Sequence, residues 1–250
     1  MTDSAEGASR RDEGPPRRGG SSLVVLALLC IALLIGGIAI GVAVGGVMPL
    51  PYGSASAVTA YVRAEPTAVR IIAVATFASA LPLAIYAATA GGRLRQLGAG
   101  AESAAVALTG GTLAAGALGM AGLLGWTLSI PEVVANAAVV RTLYLLVFLS
   151  GGPGHIAALG LLVGGIAAPG LTRALMPGPL ARMGLAAAAL AELATVVLIW
   201  PALGVILPIA RVLALTWLMV AGVALSHAAQ RDSAAQRHSA ADGRHEGAST

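Results

Sequence analysis

Residues 131–170 read PEVVANAAVVRTLYLLVFLSGGPGHIAALGLLVGGIAAPG. The run is apolar almost throughout and is broken by Gly151-Gly152-Pro153-Gly154. Residues 131–150 alone are long enough for one bilayer crossing, since about 20 apolar residues suffice. Two crossings here give the chain seven spans; one crossing gives six. The parity decides whether the chain ends share a compartment, so this stretch decides the fold.

Charge resolves the choice. With six spans, Arg10, Arg11, Arg17, Arg18, Arg93, Arg95, Arg173, Arg182, Arg231, Arg237 and Arg244 fall on one side. Only Arg63, Arg70, Arg141 and Arg211 lie on or towards the other. With seven spans the arginines split almost evenly. Basic residues gather on the cytoplasmic side of membrane proteins. The sequence therefore predicts six spans, at about 23–48, 68–91, 103–128, 142–170, 179–200 and 205–227, with both termini cytoplasmic. Residues 131–141 become an outer, half-buried amphipathic helix leading into the fourth span. Trp126 and Trp200 fall at outer span ends, where an interfacial aromatic belt places them. The loop 49–67 holds Tyr52, Tyr61, Arg63, Glu65 and Pro66, a pattern for a surface turn or short interfacial helix.

The composition agrees. Of the 250 residues, 57% are hydrophobic and 10% charged, and the mean hydropathy is +0.86. A soluble domain is nearer 45–50% apolar and about 25% charged. The expected fold class is all-α: an integral membrane bundle of six transmembrane helices over 23–228, in the cytoplasmic membrane. Residues 1–22 and 229–250 are polar and rich in small residues, and read as disordered tails. In each tail arginines and carboxylates balance, so neither forms a polybasic arm and nucleic acid is not an expected partner. The lipid bilayer is. The lone Cys30 cannot form an internal disulfide and reads as a small packing residue. No internal repeat is visible, which weakens an inverted-repeat transporter.

Four features carry candidate chemistry. Glycines at 37, 41 and 45, at 160 and 164, and at 116, 119, 122 and 125 stripe helix faces, suiting either packing within the bundle or a homo-oligomer seam. Glu192 lies deep in the fifth span. Arg211 lies at a similar depth in the sixth, roughly 12 and 9 Å below the outer helix ends at 1.5 Å per residue. Charges there are expensive and are paired or functional, so Glu192 and Arg211 are expected to form an intramembrane ion pair or ligand site. Arg70 and Arg141 start spans two and four, and with Arg211 would give an outer cationic cluster, either snorkelling to phosphates or lining an anion vestibule. Finally, Gly152, Pro153 and His155 mark a helix break in span four, tolerated where protein or water covers it.

No second buried histidine accompanies His155 to hold haem, and no grouped ligands suit zinc, so no metal and no cofactor are expected. No GxxxxGK[ST], HExxH or GxSxG occurs, and the chain is not read as an enzyme.

The run 142–171 (TLYLLVFLSGGPGHIAALGLLVGGIAAPGL), residues 180–200 and 207–223 (LPIARVLALTWLMVAGV) resemble multi-pass bacterial membrane proteins, common in actinobacteria, grouped as a domain of unknown function. The resemblance implies a small all-helical unit in the inner membrane and brings no catalytic residue. The functional expectation is a structural, accessory or sensing role. The alternative is a small-solute or ion transporter built on Glu192, Arg211 and the broken helix. A purely structural role predicts a dry interior with Glu192 touching Arg211. A transporter predicts a polar cavity reaching mid-membrane beside His155.

Overall fold

The computed structural model describes residues 21–247, and among these every regular element is helical. The segments Ser22–Gly45, Pro66–Gln96, Ala101–Thr127, Ala137–Thr172, Gly178–Leu198 and Pro201–Asp232 are each long and apolar enough to cross a membrane. The six-span reading holds. Residues 1–20 and 248–250 lie outside the described part, and with them most of the expected N-terminal tail.

Helix α1 (Ser21–Gly45) has no charged residue to stop it and ends where Gly46 takes φ +74°. Its Leu23, Ala27, Cys30 and Leu34 are buried at helical spacing. The short α2 (Ala55–Ala64) is opened by Ser54, whose hydroxyl accepts the Ala57 N–H at 3.2 Å. Thus the loop 49–67 does contain a helix. Pro66 begins α3 (Pro66–Gln96), where its missing N–H has no consequence. Helix α4 (Ala101–Thr127) follows a tight turn through Gly98 and Gly100, both at positive φ.

The stretch 131–141 is not one amphipathic helix. It holds a single turn, α5 (Pro131–Val134), and then a new start: Asn136 Oδ1 accepts the N–H groups of Ala138 and Val139, opening α6 (Ala137–Leu149). The Asn cap competes with helix continuation, and the cap prevails. Helix α6 continues through a π-type turn (Ser150–Gly154) into α7 (His155–Thr172), completing one span with a break inside it. Helix α8 (Gly178–Glu192) gives way to 3-10 turns at Leu193–Leu198 and Pro201–Val205 before α9 (Ile206–Gly247). The backbone of α9 stays helical through residues expected to form an unstructured tail. Ala, Gln, Arg and Glu in the tail sequence favour helix, and the preceding turns supply the nucleus.

Buried side chains form three clusters, one of them Ile156, Ala191, Ala194, Val197, Leu207 and Ala210. The main core gathers Leu83, Tyr86, Leu159, Leu162, Ile166 and Leu218. Tyr86 donates its hydroxyl to Leu218 O at 2.7 Å. At the end carrying the chain termini, Arg93 Nη1 reaches Ser226 Oγ at 2.9 Å and Nη2 reaches Ser22 Oγ at 3.4 Å. At the opposite end, α2, α5 and the loop 46–53 form a cap around Val58, Val62, Val134, Val140 and Tyr144. Outside, Leu81, Ile85, Leu113, Leu123 and Ile209 are exposed. This surface is as apolar as the interior, which suits lipid rather than water.

The glycine stripes are mostly spent inside the bundle. Cβ atoms at Gly41 and Gly45 would run into Ile72 and Ala68 of α3. One at Gly122 would sit 2.7 Å from Phe77 N. One at Gly160 would sit 3.1 Å from Ala188 O of α8. Gly116 alone among the stripe residues meets nothing within 4 Å.

Candidate functional site

Pro153 has no N–H, and Gly152 adopts φ −93°, ψ −105°, which is not helical. The N–H of His155 therefore turns to Gly152 O and Ser150 O. In a regular helix it would bond to Gly151 O, four residues back. That carbonyl is freed and accepts from Arg211 Nη2 of α9. The GGPG run thus supplies an acceptor for Arg211. This is a physical reason for a break at that point.

Arg211 lines a partly open cavity of about 300 Å³ among α1, α3, α4, α6 and α9. Leu34, Ile38, Ile72, Leu118, Phe148 and Leu207 make up much of its wall. Among the described residues Arg211 is its one charged lining residue; Thr76 and Tyr144 bring hydroxyls. Arg211 Nε is buried and has no hydrogen-bond partner among them. A guanidinium in apolar surroundings with one carbonyl acceptor is under-satisfied by the usual standard for buried charge.

The expected partner does not arrive. Glu192 is exposed on α8, with its carboxylate lying over Gly160, where a Cβ would sit 2.9 Å from Oε1. The expected ion pair is not formed, because equal depth does not fix rotation about the helix axis. Glu192 sits next in sequence to the fully buried Ala191 and so points about 100° away from it.

The arginines expected to form an outer cluster have separate surroundings. Arg70 is exposed and donates from Nε to Ser129 Oγ at 3.2 Å. Arg141 is half-buried, its Nη1 without a partner among the described residues, and does not line the cavity. Arg63 donates to Val134 O and Ala135 O, satisfying the end of α5. Of these arginines only Arg211 faces the cavity.

Gly152 and Pro153 are buried at the break, and Gly151 and Gly152 line the cavity. His155 is fully buried beyond it. Its Nδ1 lies 3.0 Å from Ala114 O, so Nδ1 carries the proton and Nε2 presents a lone pair. That Nε2 has no partner among the described residues.

The cap adds Tyr144, which the sequence reading did not single out, and gives partners to Tyr61 and Tyr52. Tyr144 donates its hydroxyl to Pro49 O at 2.6 Å, and Tyr61 donates to Gly46 O at 3.3 Å. Burial, and then the Glu65 carboxylate nearby, push the Tyr61 phenol above its ordinary pKa, so the donor is retained. Tyr52 meets Phe148 edge to face, with ring centroids 5.3 Å apart. Together these contacts strap loop 46–53 over the cavity. A second cavity of about 680 Å³ opens at the cap, between Leu50–Gly53 and Pro201–Val205, and shares Phe148, Gly204 and Pro208 with the first. The signal for the tyrosines was available in principle: a phenol within an apolar span needs an acceptor, and loop carbonyls are the nearest unpaired ones.

Among the described residues, no three His, Cys, Asp or Glu side chains gather as a metal site. No known protein family matches the chain, and no curated protein or solved structure does so either.

Proposed function

We propose that this multi-pass membrane protein binds a small anion in the Arg211 cavity and serves as a sensor of that anion. The single observation behind this is Arg211, incompletely hydrogen-bonded and lining a cavity that has no carboxylate in its wall among the described residues. An intramembrane cation whose counter-ion is not supplied by the chain marks a functional position. A bound anion would supply the missing acceptor through charge-assisted hydrogen bonds. A purely structural role would instead pair Glu192 with Arg211 in a dry interior. By the distribution of arginines, the cap faces outward, so the ligand would come from the outer side of the cytoplasmic membrane.

A transport reading has one observation in its favour: the broken span lines the cavity, as discontinuous helices do in transporters. Against it stands the packed core beyond the cavity, where Leu83, Tyr86, Leu159, Leu162 and Leu218 are buried. Sensing needs one-sided access; transport needs two-sided access.

The test is thermal stability of the purified protein in zwitterionic nanodiscs, titrated with chloride and with acetate. A ligand that binds only the folded state raises stability as its concentration passes Kd. The proposal expects stabilisation by at least one anion in the wild type and none in Arg211→Gln. Equal responses in both proteins overturn it. Flux of the same anion in proteoliposomes, blocked by Arg211→Gln, would replace sensing with transport.

A further inference from the structure

Given the anion-binding reading, on which this inference rests, the make-up of the Arg211 cavity limits its occupant more narrowly than charge alone. The wall offers one guanidinium and very few other donors: Thr76 brings a hydroxyl, while the Tyr144 hydroxyl is already donated to Pro49 O. Arg211 Nη2 is also committed, to Gly151 O. A phosphate or sulfate carries more acceptor oxygens and more charge than these donors can satisfy, and burying unsatisfied acceptors is unfavourable. A single carboxylate needs far less. The rest of the wall, from Leu34 and Ile38 to Val147 and Phe148, is hydrocarbon and rewards an apolar body. The cavity also has a direction. It runs from Arg211 towards Phe148, Gly204 and Pro208, the residues it shares with the larger cap cavity.

We propose that the occupant is a monocarboxylic acid with an apolar body, its carboxylate on the Arg211 guanidinium and its chain extending along Ile38 and Val147 towards Phe148. The head is selected by the scarcity of donors and the body by the aliphatic wall. At about 300 Å³ the space lies at the small end of ligand pockets, so a short acid fills it and a longer one reaches past Phe148 into the cap cavity. Phe148, held edge to face by Tyr52, then sets the chain length that fits without displacement.

The experiment uses the full chain in phosphatidylcholine nanodiscs and compares hexanoate, hexanol, acetate and inorganic phosphate by equilibrium binding. Hexanoate is expected to bind at least tenfold more tightly than hexanol or phosphate. Affinity should rise about fourfold for each methylene added between acetate and hexanoate. Ile38→Trp, which fills the wall, should abolish that chain-length dependence while acetate still binds. Arg211→Gln should remove the preference of hexanoate over hexanol. Should that variant misfold, Arg211→Lys retains the charge and is expected to retain the preference. Dodecanoate supplied within the bilayer separates the sources: competition by hexanoate from water supports a soluble acid, and competition by dodecanoate alone supports one drawn from the leaflet. Phosphate binding as tightly as hexanoate overturns the carboxylic-acid assignment and leaves the anion reading standing. No Arg211-dependent binding of any of these anions to folded protein overturns both.

Discussion

Replacing Gly110 by alanine tests the packing that surrounds the site. A Cβ at Gly110 of α4 would sit 2.5 Å from Leu162 N and 2.8 Å from Leu161 C of α7. Both are backbone atoms and cannot rotate away. The reciprocal contact lies one turn along the same seam, where a Cβ at Gly165 of α7 would sit 2.6 Å from Ala107 N. Ordinary contact begins near 3.4 Å, so the two helices must part by roughly 1 Å, enough to forfeit a quarter to a half of the dispersion energy along their interface. Overpacking of this kind costs about 1–3 kcal/mol, and an immovable backbone puts it near the top of that range. The higher helix propensity of alanine returns at most about 1 kcal/mol. The net expectation for Gly110→Ala is a loss of about 2 kcal/mol. Gly116→Ala, on the same helix, meets nothing within 4 Å and is expected to be neutral or slightly stabilising. Gly110→Ala combined with Gly165→Ala should cost less than the sum of the two, because helices already parted accommodate the second methyl. Reversible unfolding in mixed micelles gives all four values. Gly110→Ala as stable as wild type, or Gly116→Ala equally damaged, would refute the seam.

Three further expectations concern the site. In a double-mutant cycle of Glu192→Gln and Arg211→Gln, followed by unfolding, the coupling should stay within about 0.5 kcal/mol, as for separated residues; a coupling near the roughly 3–5 kcal/mol of a broken buried pair would restore the ion pair. Tyr144→Phe removes the hydroxyl donated to Pro49 O. It should cost about 1 kcal/mol and speed amide exchange in residues 46–53; unchanged exchange there would show that the strap is held by other contacts. Pro153→Ala restores a backbone N–H and lets the break relax towards regular helix, recapturing Gly151 O from Arg211. Anion binding should then weaken at least tenfold, and unaltered binding would detach the break from the site.

Much of the bundle was legible because membrane spans are written in length and apolarity, which need no knowledge of neighbours. Charge parity read the interrupted fourth span correctly as one crossing. Counting residues gives Glu192 and Arg211 similar distances from their span ends. Rotation was not legible, because a span that is apolar all round gives no moment to say which face is buried. Arg211 shares its face with Leu207, Ala214 and Leu218, all buried, whereas Glu192 falls just off the stripe of Ala181, Gly184, Ala188 and Ala191. The break at Gly152 and Pro153 was visible, but its consequence, a carbonyl released to Arg211, depends on a helix more than fifty residues away. Asn136 carried a readable cap signal that the amphipathic pattern of 131–141 overrode. The polar end of α9 shows that low hydropathy alone does not exclude helix when the residues favour it and the helix has already begun.

The central claim is that Arg211 stands as an unneutralised cation in a cavity reachable from one end of the bundle. It can be measured with Leu207→Cys, a buried cavity residue one helical turn before Arg211, in a Cys30→Ser background. Negatively and positively charged thiosulfonate reagents of similar size are applied in turn to each side of oriented vesicles. The account predicts modification from the cap side only, with the anionic reagent at least tenfold faster, and loss of that preference in Arg211→Gln. Equal rates for the two reagents, or faster reaction of the cation, would contradict it.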